Sequence, residues 1–542
     1  MNLNISNFNF NYQMASKRVI HPTFLNRNKI DDTPQKSNKD FLITDPAQLS
    51  LLHMHDFHGQ NIRMERAYSA VRQFDSGKLA NDDDIFDKNF PIDRFKLCSG
   101  DIFLGENEID LKVVNKFLNI SEVLANVLGN HECDMETDDF AEIVQDRSYK
   151  FLGANMHPDD DSEINSIISD SFIIESNGNK YGIIGLVPVD MANHMKRPDD
   201  IEEFNISDFD DTIEDLEDEV EKLRNKGANK IILLSHLGFQ LEQFIAEHVS
   251  DIDIILGGHT HNLIKEAKDG YNLLKSPKNE PVLIVQVGRD GEYIGLPNVK
   301  FNEFGQITDV QYNIAKTDNF PRNIVAKSSF ENILGKPEIV GKVSYAEEPP
   351  KDIYARENPH CNFIMDCLRD ELNTDIAIMN SANIRGRFYE GNVDTRDLMI
   401  ISPFANKVTV IEATEAEIVE SFNDIIESTT ESPVHRPGIF QVSGLKYTYS
   451  ESKGKLTELY FIDKYGNEHP IDIKKPSKKK IYTIAVDDYC VTSKKSGLNL
   501  KHRYEDALEK YDYDKDFFVA RYLRKHKEPI NVKSDGRIKV VD

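Results

Sequence analysis

Residues 51–59 read LLHMHDFHG, an apolar run that breaks into a polar cluster at Asp56, His58 and Gly59. The same form returns in FKLCSGD (95–101), VLANVLGNHECD (123–134), IILLSHLG (231–238) and IDIILGGHTH (252–261). Short apolar runs bounded by glycine and polar residues read as buried strands. Between the third and fourth runs, Ile213, Leu216, Val220 and Leu223 recur at helical spacing, after an Asp-rich start and before Gly227. This pattern predicts a helix passing directly into the strand Lys230 to Leu234. Alternating strands and helices argue for layered α/β (α+β) construction, with polar side chains presented at the carboxyl ends of strands, where open α/β sheets place ligand sites.

Taken together, the strand ends supply Asp56, Asp101 and Asn130 with His58, His236, His259 and His261. A single Asp or His after a strand is ordinarily a turn or capping residue. A mixed set of oxygen and imidazole donors suits zinc, manganese or iron rather than calcium, and it exceeds what one metal site requires. Gly100, Gly129, Gly257 and Gly258 fit places where the backbone must turn sharply beside such a centre.

With 542 residues, 39% of them hydrophobic, the chain can hold two or three domains. Lys and Arg total 65 against 92 Asp and Glu, a formal charge of -27 with no long basic block. That balance disfavours binding along a nucleic-acid polymer, which requires neutralising many phosphates. The five cysteines form no CxxC pair and read as small apolar residues. The acidic runs Asp82 to Asp84 and Asp159 to Asp161 read as surface loops. No apolar run reaches a membrane-spanning length of about 18 to 20 residues. Residues 1–49 form a polar, Asn-rich leader without a signal-peptide pattern, so a cytoplasmic location is expected.

In order, the motifs DFHG (56–59), GD (100–101), GNHE (129–132), SHLG (235–238) and GGHTH (257–261) resemble the calcineurin-like metallophosphoesterases. Within them the chain resembles the 5'-nucleotidase family, of the bifunctional UDP-sugar hydrolase/5'-nucleotidase type. The resemblance implies two central sheets flanked by helices. It assigns Asp56, His58 and His261 to one divalent ion, Asn130, His236 and His259 to a second, and Asp101 as their bridge; zinc, manganese, iron and cobalt all suit such donors. Two ions so placed share a water and lower its pKa for in-line phosphoryl transfer. By the same resemblance His131 faces the phosphate as a catalytic residue and Asp134 orients it; the other reading of Asp134 is a helix-start residue.

Downstream, NSANIRG (380–386), SPFAN (402–406), FQVSGLKYTY (440–449) and VDDYC (486–490) resemble the 5'-nucleotidase C-terminal domain. The resemblance implies that Asn380 and Arg385 contact substrate, that Phe404 and Tyr489 stack on the base, and that Asn406 meets the base edge. A guanidinium forks onto phosphate oxygens, and aromatic faces accept any nucleobase. Three departures stand out. NSANIR replaces the usual NGGGIR. A ribose-contacting carboxylate has become Ser493, Lys494 or Lys495. A phosphate-contacting Arg position holds Tyr354, with Arg356 two residues on.

The organisation expected is a leader at 1–49, a catalytic domain at 50–318, a linker at 319–351, a substrate-binding domain at 352–524 and a basic peripheral tail at 525–542. The function expected is metal-dependent release of phosphate from a small-molecule nucleotide, foremost a nucleoside 5'-monophosphate. The alternatives are a 2',3'-cyclic nucleotide phosphodiesterase, a nucleotide-sugar or dinucleotide pyrophosphatase, and a non-catalytic nucleotide-binding protein. Relatives of this type are often exported, so the resemblance also allows a periplasmic or extracellular location.

Overall fold

The structure is a computed structural model that describes residues 42–79, 85–160, 162–194, 201–404, 406–431, 438–493, 498 and 500–542. Most of the leader, the run Asp82 to Asp84, Asp161, Lys494 and Lys495 lie outside these residues. Strand Ala47–Met54 is fully buried, with Leu49, Leu51, Leu52 and Met54 each 0% exposed. It pairs in parallel with Asp93–Cys98, which continues through Ala125–Val127, Lys150–Leu152 and Ile168–Ser169. On its other side Tyr293–Phe301 and Ile307–Lys316 add antiparallel, completing seven strands.

A second sheet of six strands holds Asn179–Leu186, Lys230–Ser235, Ile254–Leu256 and Pro281–Val285 in parallel. Its outer strands, Ser171–Ser176 and Leu273–Lys275, run antiparallel. Both sheets contribute to a single apolar core. They approach so closely at Gly185 that a Cβ there would collide with Leu152 of the first sheet. Parallel strands buried on both faces read as near-continuous apolar runs, which explains why these runs were visible in the sequence.

Helix Phe209–Asn225 covers the second sheet. Asp208 caps it by accepting from the Asp211 amide at 3.0 Å, and Leu216, Val220 and Leu223 are buried. Such a cap contributes about 1 kcal/mol. The chain leaves the helix through Gly227, at φ 93°, a left-handed conformation that a side chain would strain.

Beyond residue 339 lie sheets of three, five and four strands. The five-stranded one runs Phe440–Ser443, Ile376–Asn380, Ile481–Asp487, Lys407–Thr414 and Glu509–Asp514 in spatial order. Residues 319–351, expected to be a connection, contain helix Ile324–Leu334 and strand Ile339–Ala346. Ala326 and Phe330 bury that helix in the first core. The tail is likewise not peripheral. Ile530–Val532 pairs with Ile339–Ala346, and Ile538–Val541 pairs with Leu445–Ser450. All five cysteines are buried and free. Among the described residues no helix is long and apolar enough to cross a membrane.

Candidate metal centre and substrate cleft

Seven side chains singled out in the sequence leave the carboxyl ends of five parallel strands, three in one sheet and two in the other. Asp56, His58, Asp101, His259 and His261 all have left-handed backbones, with φ of 48°, 48°, 51°, 74° and 57°. Non-glycine residues adopt this region rarely and at a cost, and such positions concentrate at functional sites. Three overlapping groups, Asp56 with His58 and His261, His58 with Asp101 and His131, and Asp101 with His236 and His259, each bring their ligand atoms within 4.8 Å of one another.

Asp101 lies between the halves of this cluster. Its Oδ2 is 3.7 Å from His58 Nε2 and 3.2 Å from His236 Nε2, while Oδ1 accepts from the His131 amide at 2.9 Å. Asp56 Oδ1 is 3.6 Å from His58 Nε2 and 3.2 Å from His261 Nε2. Asn130 uses its Nδ2 on the His194 carbonyl, 3.5 Å away. Asp56 Oδ1, Asn130 Oδ1 and His236 Nε2 are buried and carry no hydrogen bond. Burying such atoms without partners is costly, and cations would supply the missing interaction.

The charges fit the same arrangement. Against the pull of burial, Asp101 and Asp290 hold the His58 imidazolium up to about 9, and Asp101 holds that of His236 up to about 10. Asp56 and Asp101, though burial opposes it, are held well below the usual carboxylate range by neighbouring histidines. His261 is pushed down to about 4 by burial. With its imidazoles neutral, as metal binding requires, the set carries the two negative charges of Asp56 and Asp101, which divalent ions would offset.

Several residues behind the cluster escaped the sequence reading. Asp290 Oδ1 lies 2.9 Å from His58 Nδ1. His55 bonds Asp56 through Nδ1 and accepts the Val287 amide on Nε2. Glu132 accepts from the amides of Asp101, Ile102 and Gly129 at 2.8 to 3.0 Å, and burial followed by the charge of Asp101 pushes it up to about 7. Glu242 accepts from the Gly258 amide and Gln286, and burial raises it to about 8. Asp190 Oδ1 is 3.3 Å from His259 Nε2 and its Oδ2 is 2.9 Å from His194 Nε2. A sequence signal for Asp190 did exist: YGIIGLVPVD ends a sixth apolar run on a carboxylate.

Three of the four glycines serve differently from the expectation. Gly100 has a φ of 82°, as a sharp turn requires. Gly129, Gly257 and Gly258 instead provide room, since a Cβ would strike Asp101, Glu242 and the Ser99 carbonyl respectively. His131 Nδ1 is 2.8 Å from Asp134 Oδ2, and the imidazole keeps 15% of its side-chain surface exposed. Asp134 Oδ2 also accepts the Gly105 amide at 3.0 Å.

The second half of the chain closes onto this site. Gly105 abuts the Pro403 carbonyl, and Gln60 Nε2 reaches the Ile400 carbonyl at 3.3 Å. Arg385 Cζ lies 5.6 Å from the centre of the Phe404 ring, and its Nε is buried without a hydrogen bond. Tyr489 is 37% exposed and feels the Arg385 charge. Asn380 Oδ1 accepts from Asn383 Nδ2 at 2.8 Å and from Cys490 Sγ at 3.4 Å, and Asn406 Nδ2 bonds Asn383 Oδ1 at 3.3 Å. Asn383, standing where a glycine is usual, therefore ties Asn380 to Asn406. It also bonds Asp487, which pairs with the buried Lys515 at 3.1 Å. Arg356 does not approach the site: its Nη2 pairs with Glu451 Oε2 at 2.9 Å.

Facing sheets whose strand ends converge on carboxylate, amide and imidazole donors define a calcineurin-like metallophosphoesterase. Residues 49–263 match the calcineurin-like phosphoesterase family, and residues 340–502 match the 5'-nucleotidase C-terminal domain. The chain is 24% identical over 498 residues to a 5'-nucleotidase-related protein of Glossina morsitans morsitans, covering 83% of this chain and 85% of that one. It is 24% identical over 466 residues to the 5'-nucleotidase of Mus musculus, covering 79% and 78%. Among solved structures, a 5'-nucleotidase precursor from Thermus thermophilus superposes with a TM-score of 0.68 at 20% identity, covering 91% of this chain and 99% of that one. The sulfate thiohydrolase SoxB of Thermus thermophilus superposes at 0.63 with 15% identity, covering 91% and 97%. The chain belongs to the 5'-nucleotidase family of calcineurin-like phosphoesterases, a family of metal-dependent hydrolases acting on small phosphate esters.

Proposed function

We propose that this enzyme releases phosphate from nucleotides, with nucleoside 5'-monophosphates as its main substrates. The observation that carries the reading is the overlapping clusters that link Asp56, His58 and His261 through Asp101 to His236 and His259, with Asp56 Oδ1, His236 Nε2 and the nearby strand-end Asn130 Oδ1 buried and unbonded. Asp56, His58 and His261 would hold one divalent ion, Asn130, His236 and His259 the other, and Asp101 both. Such ions, of zinc, manganese, iron or cobalt, would polarise the phosphoryl oxygens and activate a water for in-line attack.

The protein's own groups do the rest. Asp134 fixes the His131 ring, so that its exposed edge can donate a proton to the leaving oxygen. Arg385 offers unsatisfied guanidinium capacity to the phosphate from the opposite side of the cleft. Phe404 and Tyr489 would stack on the base, and Asn406 would meet its edge. The Asn380 carbonyl oxygen is engaged by Asn383 and Cys490.

The test is phosphate release from a panel of nucleoside monophosphates, cyclic nucleotides, nucleotide sugars and a chromogenic ester, after chelation and readdition of Mn²⁺ or Zn²⁺. Metal-restored release from 5'-monophosphates is expected. Preference for cyclic nucleotides or nucleotide sugars would replace the substrate assignment with a diesterase or pyrophosphatase. Silence throughout would sink the catalytic reading altogether.

A further inference from the structure

Tyr354 stands where the resemblance in sequence implies a phosphate-contacting arginine, and the neighbouring Arg356 is paired with Glu451. A different guanidinium stands against the Tyr354 ring. Arg289 Nη1 lies 3.1 Å from Tyr354 Oη, with Cζ 5.2 Å from the ring centre. Arg289 belongs to the other half of the molecule, on the loop between Pro281–Val285 and Tyr293–Phe301. This loop is rigidly tied to the metal cluster. Asp290 holds His58 through its carboxylate, its carbonyl accepts Arg63 Nη1 at 2.7 Å, and its φ of 53° is followed by 65° at Gly291. A Cβ at Gly291 would meet the Phe57 ring at 2.6 Å, so the loop packs closely there.

Arg289 thus bonds the Tyr354 phenol from one half of the chain, and the charge of Arg385, from the other half, acts on the same phenol. Burial alone would raise the Tyr354 phenol, yet the charges of Arg385 and Arg289 bring it below its ordinary value, with His58 adding to them and Asp290 opposing. The carboxylate nearest to Arg289 is Asp290, 3.4 Å from its Nε, and Asp290 is shared with His58. Arg385 Nε is buried without an acceptor. Fork-shaped donors contributed by both halves of the chain, one of them with an unsatisfied Nε, are the chemistry that receives a dianionic phosphoryl group.

We propose that Arg289 and Arg385, with Tyr354 Oη supporting the first, form a two-sided cradle for the phosphoryl group of a phosphate monoester. This proposal rests on the reading of the cluster as a phosphohydrolase centre. It makes Arg289 a substrate-binding residue rather than a latch between the two halves.

The experiment is calorimetric titration of inorganic phosphate into the full-length, Mn²⁺-loaded protein, alongside KM for a nucleoside monophosphate. Arg289→Gln is expected to weaken phosphate at least tenfold and to raise KM similarly, with bound manganese unchanged. Tyr354→Arg in that background is expected to recover most of the affinity, because it returns a guanidinium to the same spot. A latch would not be rescued in this way, so failure of the rescue overturns the proposal. Phosphate affinity unchanged in Arg289→Gln overturns it as well. If Arg289→Gln does not fold, Arg289→Lys, which keeps the charge but loses the fork, is expected to weaken phosphate threefold or more, and wild-type affinity there overturns the cradle. Wild-type protein that binds phosphate through Arg289 yet hydrolyses no ester would leave the cradle standing and remove the catalytic reading. Wild-type protein that binds no phosphate removes the cradle.

Discussion

Asp290 Oδ1 lies 2.9 Å from His58 Nδ1, although the two residues are 232 positions apart in the chain. With Nδ1 committed to the carboxylate, His58 presents Nε2 to Asp56 and Asp101. Carboxylates behind a metal-binding imidazole fix its tautomer and raise its basicity, and their loss typically costs about 10- to 100-fold in metal affinity. Asp290→Ala is therefore expected to weaken Mn²⁺ binding by about that factor without unfolding the chain, as read by titration of metal into chelated protein. Affinity equal to wild type would mean that His58 needs no orienting partner.

The two halves of the chain share a buried ion cluster away from the site. Glu65, 0% exposed, accepts from Arg322 Nε at 2.6 Å and from Arg396 Nη1 at 3.3 Å, and Arg396 is itself 4% exposed. Removing one charge from a buried set leaves the others uncompensated, at a cost of about 3 to 5 kcal/mol. Arg322 is partly solvated, so Glu65→Gln is expected to fall near the lower end, about 3 kcal/mol, in urea unfolding of the chelated protein. A change under about 1 kcal/mol would show that solvent reaches the cluster.

Legibility in the sequence followed locality. Asp56, Asp101, Asn130, His236 and His259 each lie within a few residues of a strand end, so one apolar run announces both the strand and its ligand. Asp290 comes from a loop without a periodic signature, and only the fold brings it to His58. The helix Ile324–Leu334 was hidden because two of its residues, Ala326 and Phe330, are fully buried while Ile324 and Val325 are exposed. The tail strand Ile538–Val541 exposes much of its length, so neither alternation nor a long apolar run marked it. On the substrate side, motif order located Arg385, Phe404 and Tyr489, but pairing of Tyr354 with Arg289 depends on how the two halves meet.

His131 and Asp134 give a prediction that depends on the leaving group. A positioned general acid contributes about 10²- to 10⁴-fold when the departing oxygen needs a proton. His131→Asn is expected to lose that much in kcat on a nucleoside monophosphate, whose leaving alkoxide is strongly basic. It should lose at least about tenfold less on p-nitrophenyl phosphate, whose leaving group departs without protonation. Equal losses on both would assign His131 to holding the phosphate rather than to proton donation. Asp101→Asn, by contrast, is expected to abolish release from both esters together.

One contribution to acid stability comes from a buried histidine outside the ligand set. His360, 0% exposed, accepts the Phe388 amide on Nδ1 at 3.1 Å, and burial, then the charge of Arg387, push it down to about 3. The unfolded chain has an ordinary imidazole near 6.5. Below that pH the unfolded state takes up a proton that the folded state refuses, so it binds more protons and stability falls as pH falls. The loss from this group begins near pH 6.5, proceeds at up to about 1.4 kcal/mol per pH unit, and levels off near pH 3. His360→Gln, whose amide oxygen can accept the same bond but cannot titrate, is expected to remove about one proton from the pH dependence of unfolding between pH 6 and 4. Urea unfolding of both proteins in excess chelator, so that metal release does not contribute, measures the difference. Parallel stability curves for wild type and variant would show that His360 is protonated in the folded chain.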